Sequence, residues 1–486
     1  MTVDHYPEAI ATPLADPDSS KLQVDTNVDQ TMAITNIHSA KGWDGRDTRQ
    51  RSHRTVTLSS AGVLDGPTSE FENRILKRIP QEIIDQFIDH LHDDEGALRT
   101  CGLVCRAWVP SSRYHLFDIV FFCALDIEME GRFSGLIGYL EHPLCTFASS
   151  VRTLFITTLT DHDQDPPLCP PPTWADPLIP CLSKLVSVKT LVANSIGGRR
   201  FGWDPLFKST PFITRITCLY LESPDFTTFE DCMDTICSFP SLESLEYNPN
   251  FRNDEGCILN LPVSLGSPSP PPSLRILHMH SLSSSSQLIW QWLHQTQTRL
   301  SVIKLARSPS LDIQAYEITT SKFSTFTQYL QFLGPSLEVL QAVFEDVLAI
   351  SLFLDNVDLT LNTGLRILEL EIGLAFYVEA QSFDGELSLL PSFLSRLPTL
   401  TCITFNVRKG YKTNPRCGFL AAEEGNTITT WMTIDSQLSG PTFPALTEVV
   451  FNVLASSDGF VTAEYFESKL ARCKRKGVLR ISSGEW

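Results

Sequence analysis

A short strand-like phrase, an apolar anchor followed by alternating apolar residues, returns again and again after residue 145. It constrains the fold more than any other feature of the sequence. The copies are "SVRTLFI", "SVKTLVA", "RITCLYL", "SLESLEY", "SLRILHM", "RLSVIKL", "SLEVLQA", "GLRILEL", "TLTCITF" and "ALTEVVF". Their first apolar anchors are Val151, Val188, Ile216, Leu242, Leu274, Leu300, Leu337, Leu365, Leu400 and Leu446, at intervals of 37, 28, 26, 32, 26, 37, 28, 35 and 46 residues. A single unit of this kind cannot bury its own apolar strand face, so units stack side by side and merge their faces into one core. The text between copies fits helical or irregular return segments, such as "FTTFEDCMDTICSF" and "SSQLIWQWLHQT". Prolines in "FPSLESL", "GPSLEVL" and "FPALTEV" end a return segment before the next strand. The expected fold class is α/β, an irregular curved solenoid over 123–486 with proline-rich loops "DHDQDPPLCPPPTWADP" and "SLGSPSPPPS" inserted between units. A last strand, "GVLRIS", follows the charged helix "AEYFESKLARCKRK" and closes the array.

Ahead of the repeats the character differs. Residues 1–73 are rich in Asp, Thr, Ser and Pro with no sustained period, which predicts a disordered segment. Its basic cluster, Arg46, Arg49, Arg51 and Arg54, reads as a solvated tail, with a nuclear signal as the alternative. From Pro80 onward Ile83, Ile84, Phe87, Ile88 and Leu91 recur at helical spacing opposite Glu82, Asp85, Gln86 and Asp89. Pro80 suits the first turn of this helix, where its missing N–H costs nothing. A second helix is expected after Asp93-Asp94, carrying Leu98, Cys101, Val104, Cys105 and Trp108 until Pro110 ends it, with a short third around "SSRYHLF". Some fifty residues of such helices rarely build an adequate core alone, so a partner surface is expected.

Charge and cysteine usage narrow the partners. A formal charge of -18 disfavours phosphate backbones and anionic membranes, so neither nucleic acid nor membrane is expected as a partner. Thirteen scattered cysteines, an odd number, read as reduced thiols. The sequence lacks any N-x-S/T acceptor, "MTVDHYPEAI" carries acids where a signal peptide has bases, and no window holds about 18 apolar residues. A cytoplasmic or nuclear location is the expectation.

Catalytic spacing is absent: there is no Walker A loop, G-x-G-x-x-G, H-E-x-x-H, G-x-S-x-G or C-x-x-C. The chain reads as a non-enzyme without cofactor or metal. Asp161, His162, Asp163 and Asp165 lack the glycine and terminal glutamate of a calcium loop and read as solvated. "SIGGRR" reads as a turn rather than an anion cradle. Cys101 and Cys105, one helical turn apart, read as small hydrophobes beneath Trp108. The bases of "RCKRK" complement a helix C-terminus.

Residues 79–117 resemble an F-box, the domain that docks substrate receptors onto the Skp1 adaptor of cullin-RING ubiquitin ligases. The matching features are Ile79-Pro80 where the family usually has Leu-Pro, Glu82 with Ile83 and Ile84, then Ile88, Leu91, Leu98 and the "VCRAW" stretch with Val104, Cys105 and Trp108. The layout of unstructured head, F-box at 74–122 and degenerate leucine-rich units at 123–486 is similar to the large F-box families of basidiomycete fungi. Such a resemblance implies a substrate-recruiting subunit of an SCF-type ligase: those residues bind Skp1, and through it a cullin, while the solenoid binds a target protein. The alternative is a leucine-rich scaffold that docks Skp1 without supporting ubiquitin transfer.

The target face follows from strand alternation. Residues flanking the inward leucines point to the opposite face and line up in columns across stacked units. One column reads Phe155, Val192, Tyr220, Glu246, His278, Lys304, Gln341, Glu369, Thr404 and Val450; its neighbour includes Asn194, Glu222, His280, Glu371, Asn406 and Asn452. The residues expected to bind the target are Tyr220, Glu222, His278, Glu369 and Glu371.

Overall fold

A computed structural model describes residues 79–125, 137–143, 145–159, 180–194, 210–222, 226, 228–248, 268–280, 284–305, 320–344, 347–374, 389–409, 426–454 and 463–484. The segment 1–73, the acidic loop at Asp161–Asp165 and the "SIGGRR" turn lie outside them.

Among the described residues, twelve strands form one sheet whose order in space is their order in sequence. They are β1 (Ile119–Leu125), β2 (Thr153–Leu159), β3 (Thr190–Asn194), β4 (Cys218–Glu222), β5 (Ser244–Asn248), β6 (Ile276–Met279), β7 (Val302–Leu305), β8 (Val339–Phe344), β9 (Ile367–Leu374), β10 (Cys402–Lys409), β11 (Glu448–Leu454) and β12 (Leu479–Gly484). Every pairing is parallel. Each strand therefore needs a return crossover, and where the crossover is described it is commonly helical. This is the α/β alternation of a repeat solenoid.

The ten anchors explain the regularity. Each sits two residues ahead of its strand, and none is more than 4% exposed. Just after each anchor, two successive N–H groups donate to one carbonyl of the preceding unit. Arg152 and Thr153 donate to Asp118, Lys189 and Thr190 to Arg152, and the pattern continues to Thr447 and Glu448 on Thr401, at 2.8–3.2 Å. The ladder fixes register, and alternation then sends one set of side chains inward: Leu154 and Ile156, Leu191 and Ala193, Leu219 and Leu221, Leu245 and Tyr247, through Val449 and Phe451, all buried in one continuous core. Burying each such leucine contributes about 1.5–3 kcal/mol.

The first three helices precede the sheet: α1 (Gln81–Asp89), α2 (Glu95–Val104) and α3 (Val109–Leu116). Pro80 occupies the N-cap of α1, its carbonyl accepting from Ile83 and Ile84. Asp94 caps α2 by accepting from the Ala97 N–H at 2.9 Å. The sequence expectation of one helix running through Trp108 to Pro110 is corrected: α2 stops at Val104, Cys105 is extended, and Pro110 opens α3 from its first turn. Proline is favoured at a helix start as well as beyond a helix end, and here the start prevails. Cys105 thus leaves the helical face of Cys101. The sequence reading also missed β1, which spans the expected 122/123 boundary and brings the count of strands to twelve.

Among the described residues, helices of the repeats pack on the inner side of the sheet or extend its core, among them α4 (Phe229–Cys237), α5 (Ser284–Gln295), α6 (Thr320–Leu333), α7 (Val347–Asn356), α8 (Leu389–Ser395), α9 (Asn426–Ser439) and α10 (Ala463–Lys469). In α4, Phe229, Cys232, Met233 and Ile236 are buried at helical spacing, and Thr228 caps the start by accepting from Asp231 at 3.1 Å. Trp290 of α5 lies 5.0 Å from Phe326 and 5.6 Å from Tyr329 of α6, so aromatic contacts join successive helices. The expected single C-terminal helix is two, α10 and α11 (Ala471–Lys476), broken at Leu470. Asp435 of α9 occupies the break, accepting from the N–H groups of Arg472 and Cys473 at 2.9 and 2.8 Å. Lys474, Arg475 and Lys476 fill the last turn of α11 before Gly477 closes it at φ 77°.

Candidate functional site

Two surfaces stand out, one on the helical unit and one on the sheet. The helical unit has its own small core, separate from that of the sheet: Ile84, Ile88, Leu98 and Cys101, with Leu91, Trp108 and Leu116 packed against it. Side chains cross-brace the helices, with His115 bonding Asp89 at 2.8 Å and Ser111 donating to Asp85. The unit runs straight into β1, and Phe117 stacks on Phe147 with ring centroids 4.6 Å apart.

The wide apolar side of α1 resolves into two stripes. Ile84 and Ile88 face the core, while Ile79, Ile83 and Phe87, each four residues apart, face outward and are exposed. Leu103 and Val104 at the end of α2 are exposed too. Five of the eleven exposed large apolar side chains among the described residues therefore fall within 26 residues, a concentration that marks an interaction surface better than scattered exposure does. Trp108 lies 5.7 Å from Phe87, ring to ring, and its indole N–H finds no acceptor among the described residues. Of the residues expected to dock an adaptor, Ile79, Pro80, Glu82, Ile83 and Val104 are exposed, Leu91, Cys105 and Trp108 are half-buried, and Ile84, Ile88 and Leu98 are buried. The last three shape the surface from beneath rather than lying on it.

On the sheet, the register aligns the expected column residue by residue: Phe121, Phe155, Val192, Tyr220, Glu246, His278, Lys304, Gln341, Glu369, Thr404, Val450 and Arg480 are successive partners. Within this face the carboxylate of Glu246 is a focus. His278 Nδ1 lies 2.8 Å from one of its oxygens and His280 Nε2 2.6 Å from the other. The two imidazoles stack at 5.1 Å, and Tyr220 is the register partner of Glu246 on the neighbouring strand. Burial by itself would raise the Glu246 carboxyl, yet the imidazole hydrogen bonds and charges outweigh it and hold the group at about 2. Burial beside that carboxylate pushes the Tyr220 hydroxyl up to about 12. Glu222 is also raised by burial, with His280 opposing and Glu246 reinforcing the shift.

Of the residues expected to contact a target, Tyr220, Glu222 and His278 are thus brought together around Glu246. Glu369 stands apart in a second network, where it accepts from Asn406, Asn406 accepts from Asn452 at 2.7 Å, and Asn452 accepts from Ser482. Glu371 is only 6% exposed and offers an incoming protein almost no surface. Sequence reasoning placed Glu246 and His280 in the right columns without singling them out. The legible signal was "HMH", whose alternation puts two imidazoles on one face.

Neither a family model nor a curated protein matches the chain. Among solved structures, a protein from Bacteroides fragilis is similar over 60% of this chain and 69% of its own, at 14% identity and a TM-score of 0.32. A likeness of that size carries no functional inference. No helix among the described residues is long and apolar enough to cross a membrane.

Proposed function

We propose that the chain is a substrate-recruiting subunit of an SCF-type ubiquitin ligase, in which an F-box at 74–122 docks Skp1 and degenerate leucine-rich units at 123–486 hold a target protein. The observation that carries this reading is the outward stripe of Ile79, Ile83 and Phe87 with Leu103 and Val104, on a unit whose own core holds four buried hydrophobic side chains among the described residues. Leaving that much apolar surface in water forgoes stabilisation that a helical partner would supply on docking. On this reading the protein forms no bond itself. It works in the cytoplasm or nucleus by raising the effective concentration of a target beside a ubiquitin-charged partner.

Size-exclusion chromatography of the full chain with purified Skp1, followed by addition of a cullin-RING assembly, tests the proposal. A one-to-one complex that also retains the cullin is expected. No complex at roughly 10 µM, well above the dissociation constants of stable interfaces, would overturn it. A complex with Skp1 that excludes the cullin would instead favour a scaffold that supports no ubiquitin transfer.

A further inference from the structure

Glu246 lies on β5, His278 on the adjacent β6 and His280 just beyond its end, and the two imidazole nitrogens converge on the Glu246 carboxylate, one on each oxygen. Glu246 and His278 are register partners in the sheet, and the N–H of His280 donates to the carbonyl of Tyr247 at 3.1 Å, so the backbone beneath all three is fixed by the β ladder. His278 and His280 are two residues apart on an extended segment and share a face. The nitrogens that approach the carboxylate are one from each ring, and all three donor atoms lie within 4.8 Å of one another. Their side chains are 17–25% exposed, shielded yet open to solvent on one side.

We propose that this cluster is a binding site for a divalent transition-metal ion of the zinc class, with Glu246, His278 and His280 as its three protein ligands.

The donor chemistry selects the ion. Two imidazoles and one carboxylate suit zinc, whereas magnesium and calcium take oxygen ligands. Zinc at about 2.0–2.1 Å from each donor sets neighbouring ligand atoms roughly 3.3 Å apart. The nitrogen-to-oxygen distances are 2.8 and 2.6 Å. Each nitrogen approaches a different oxygen of the carboxylate and the three donors lie within 4.8 Å of one another, so admitting the ion calls for side-chain rotation that brings both nitrogens and one oxygen to that spacing. The bond atoms already face the site, so each imidazole need only carry its proton on the other ring nitrogen. Tyr220, the register partner of Glu246 on the neighbouring strand, stands beside that ligand. Three protein ligands leave a fourth position for water or for a donor atom of a bound protein. The site lies on the sheet and is independent of whether the helical unit docks an adaptor.

Full-length protein freed of metal with a chelator and titrated with zinc chloride in a calorimeter provides the test. One ion per chain is expected, with magnesium failing to compete and cobalt giving the visible absorption of a four-coordinate site. His278→Gln, His280→Gln and Glu246→Gln should each weaken binding by at least about 10–100-fold, the usual loss for groups that merely support a ligand. The chain has eleven histidines, so an adventitious ion elsewhere would bind the His278→Gln/His280→Gln double variant as well as the native chain, and that result overturns the proposal. So does the lack of saturable binding to the native chain, which would leave the hydrogen-bonded cluster as a purely internal network. Should the double variant fail to fold, the native chain still decides: zinc must protect His278 and His280 from diethyl pyrocarbonate, and equal modification with and without zinc refutes the site.

Discussion

Replacing Ile83 and Leu103 with aspartate should abolish adaptor docking while sparing the fold, because the two side chains are 53% and 87% exposed and contribute little to the internal core. Full burial of a large aliphatic side chain is worth about 1.5–3 kcal/mol, and weighting by the exposed fractions gives about 2–4 kcal/mol for the pair if docking covers both. That corresponds to roughly a 30- to 1000-fold rise in Kd. The figure is a floor, since each carboxylate would also be desolvated opposite an apolar partner. Thermal melting should stay close to that of the native chain, as surface substitutions usually change stability by no more than about 0.5 kcal/mol. Titration of labelled Skp1 against both proteins measures the difference. Ile84→Asp is the contrasting control: Ile84 is 4% exposed, and a buried unpaired charge there should unfold the helical unit instead of selectively weakening binding. A folded Ile83→Asp/Leu103→Asp variant that binds Skp1 within threefold of the native chain would refute the outward stripe as the docking surface.

Other expectations concern the repeats. Asn362 is 2% exposed and donates to the carbonyls of Leu330 and Gly334 at 2.7 and 3.0 Å, closing the end of α6. Asn362→Leu orphans both carbonyls and should cost about 2–5 kcal/mol, read as a lowered denaturation midpoint with faster amide exchange in β8 and β9. A Cβ on Gly364 would stand 1.9 Å from the Pro335 carbonyl oxygen, which belongs to backbone and cannot swing aside. Gly364→Ala should therefore lower the melting temperature by several degrees, and an unchanged melt would refute the close approach. Burial pushes the Cys232 thiol up to about 12, so at pH 8 only about one part in ten thousand is thiolate. Iodoacetamide should leave Cys232 unmodified in the native protein while labelling half-exposed Cys105, and peptide mass spectrometry reads both.

How far the sequence carried the fold depends on where the constraint acts. The anchors were legible because each must be apolar at one fixed place, two residues before its strand, whatever the length of the insertion between units. The interval of 46 residues before Leu446 shows the point: the spacing drifts, yet Leu446 is as buried as its counterparts. β1 was not legible because "IVFFCAL" is a continuous apolar run adjoining a helix, and such runs do not distinguish strand from buried helix. Pro110 misled because proline marks helix starts and helix ends alike. The break at Leu470 depends on Asp435, 37 residues away from the N–H of Arg472 that it accepts, so no local signal announces it. The same holds for Glu246 and the two histidines, 32 and 34 residues on, whose meeting is created by strand register. Their columns were readable; their convergence was not.

The sheet also sets a distance that any recruiting role must use. Neighbouring strands lie about 4.8 Å apart, so the Glu246–His278–His280 cluster on β5 and β6 sits four to five spacings, about 20–24 Å, from β1, which follows the helical unit after a two-residue link. Between them the column runs through Phe121, Phe155, Val192 and Tyr220, with Phe121 and Phe155 stacked at 4.5 Å. Beyond the cluster the same column turns to Lys304, Gln341, Glu369 and Thr404. A protein lying along this face would meet the half-buried rings of Phe121 and Phe155 nearest the first three helices and polar groups farther out, with the carboxylate and imidazoles at the junction. Apolar contacts supply affinity without direction, whereas a carboxylate held by two imidazoles admits few geometries, so the junction is where orientation would be fixed. On the recruitment reading, the parallel ladder gives the fold its functional value: it holds the orienting cluster at a set distance from the adaptor, since register, unlike a flexible linker, does not let that distance vary.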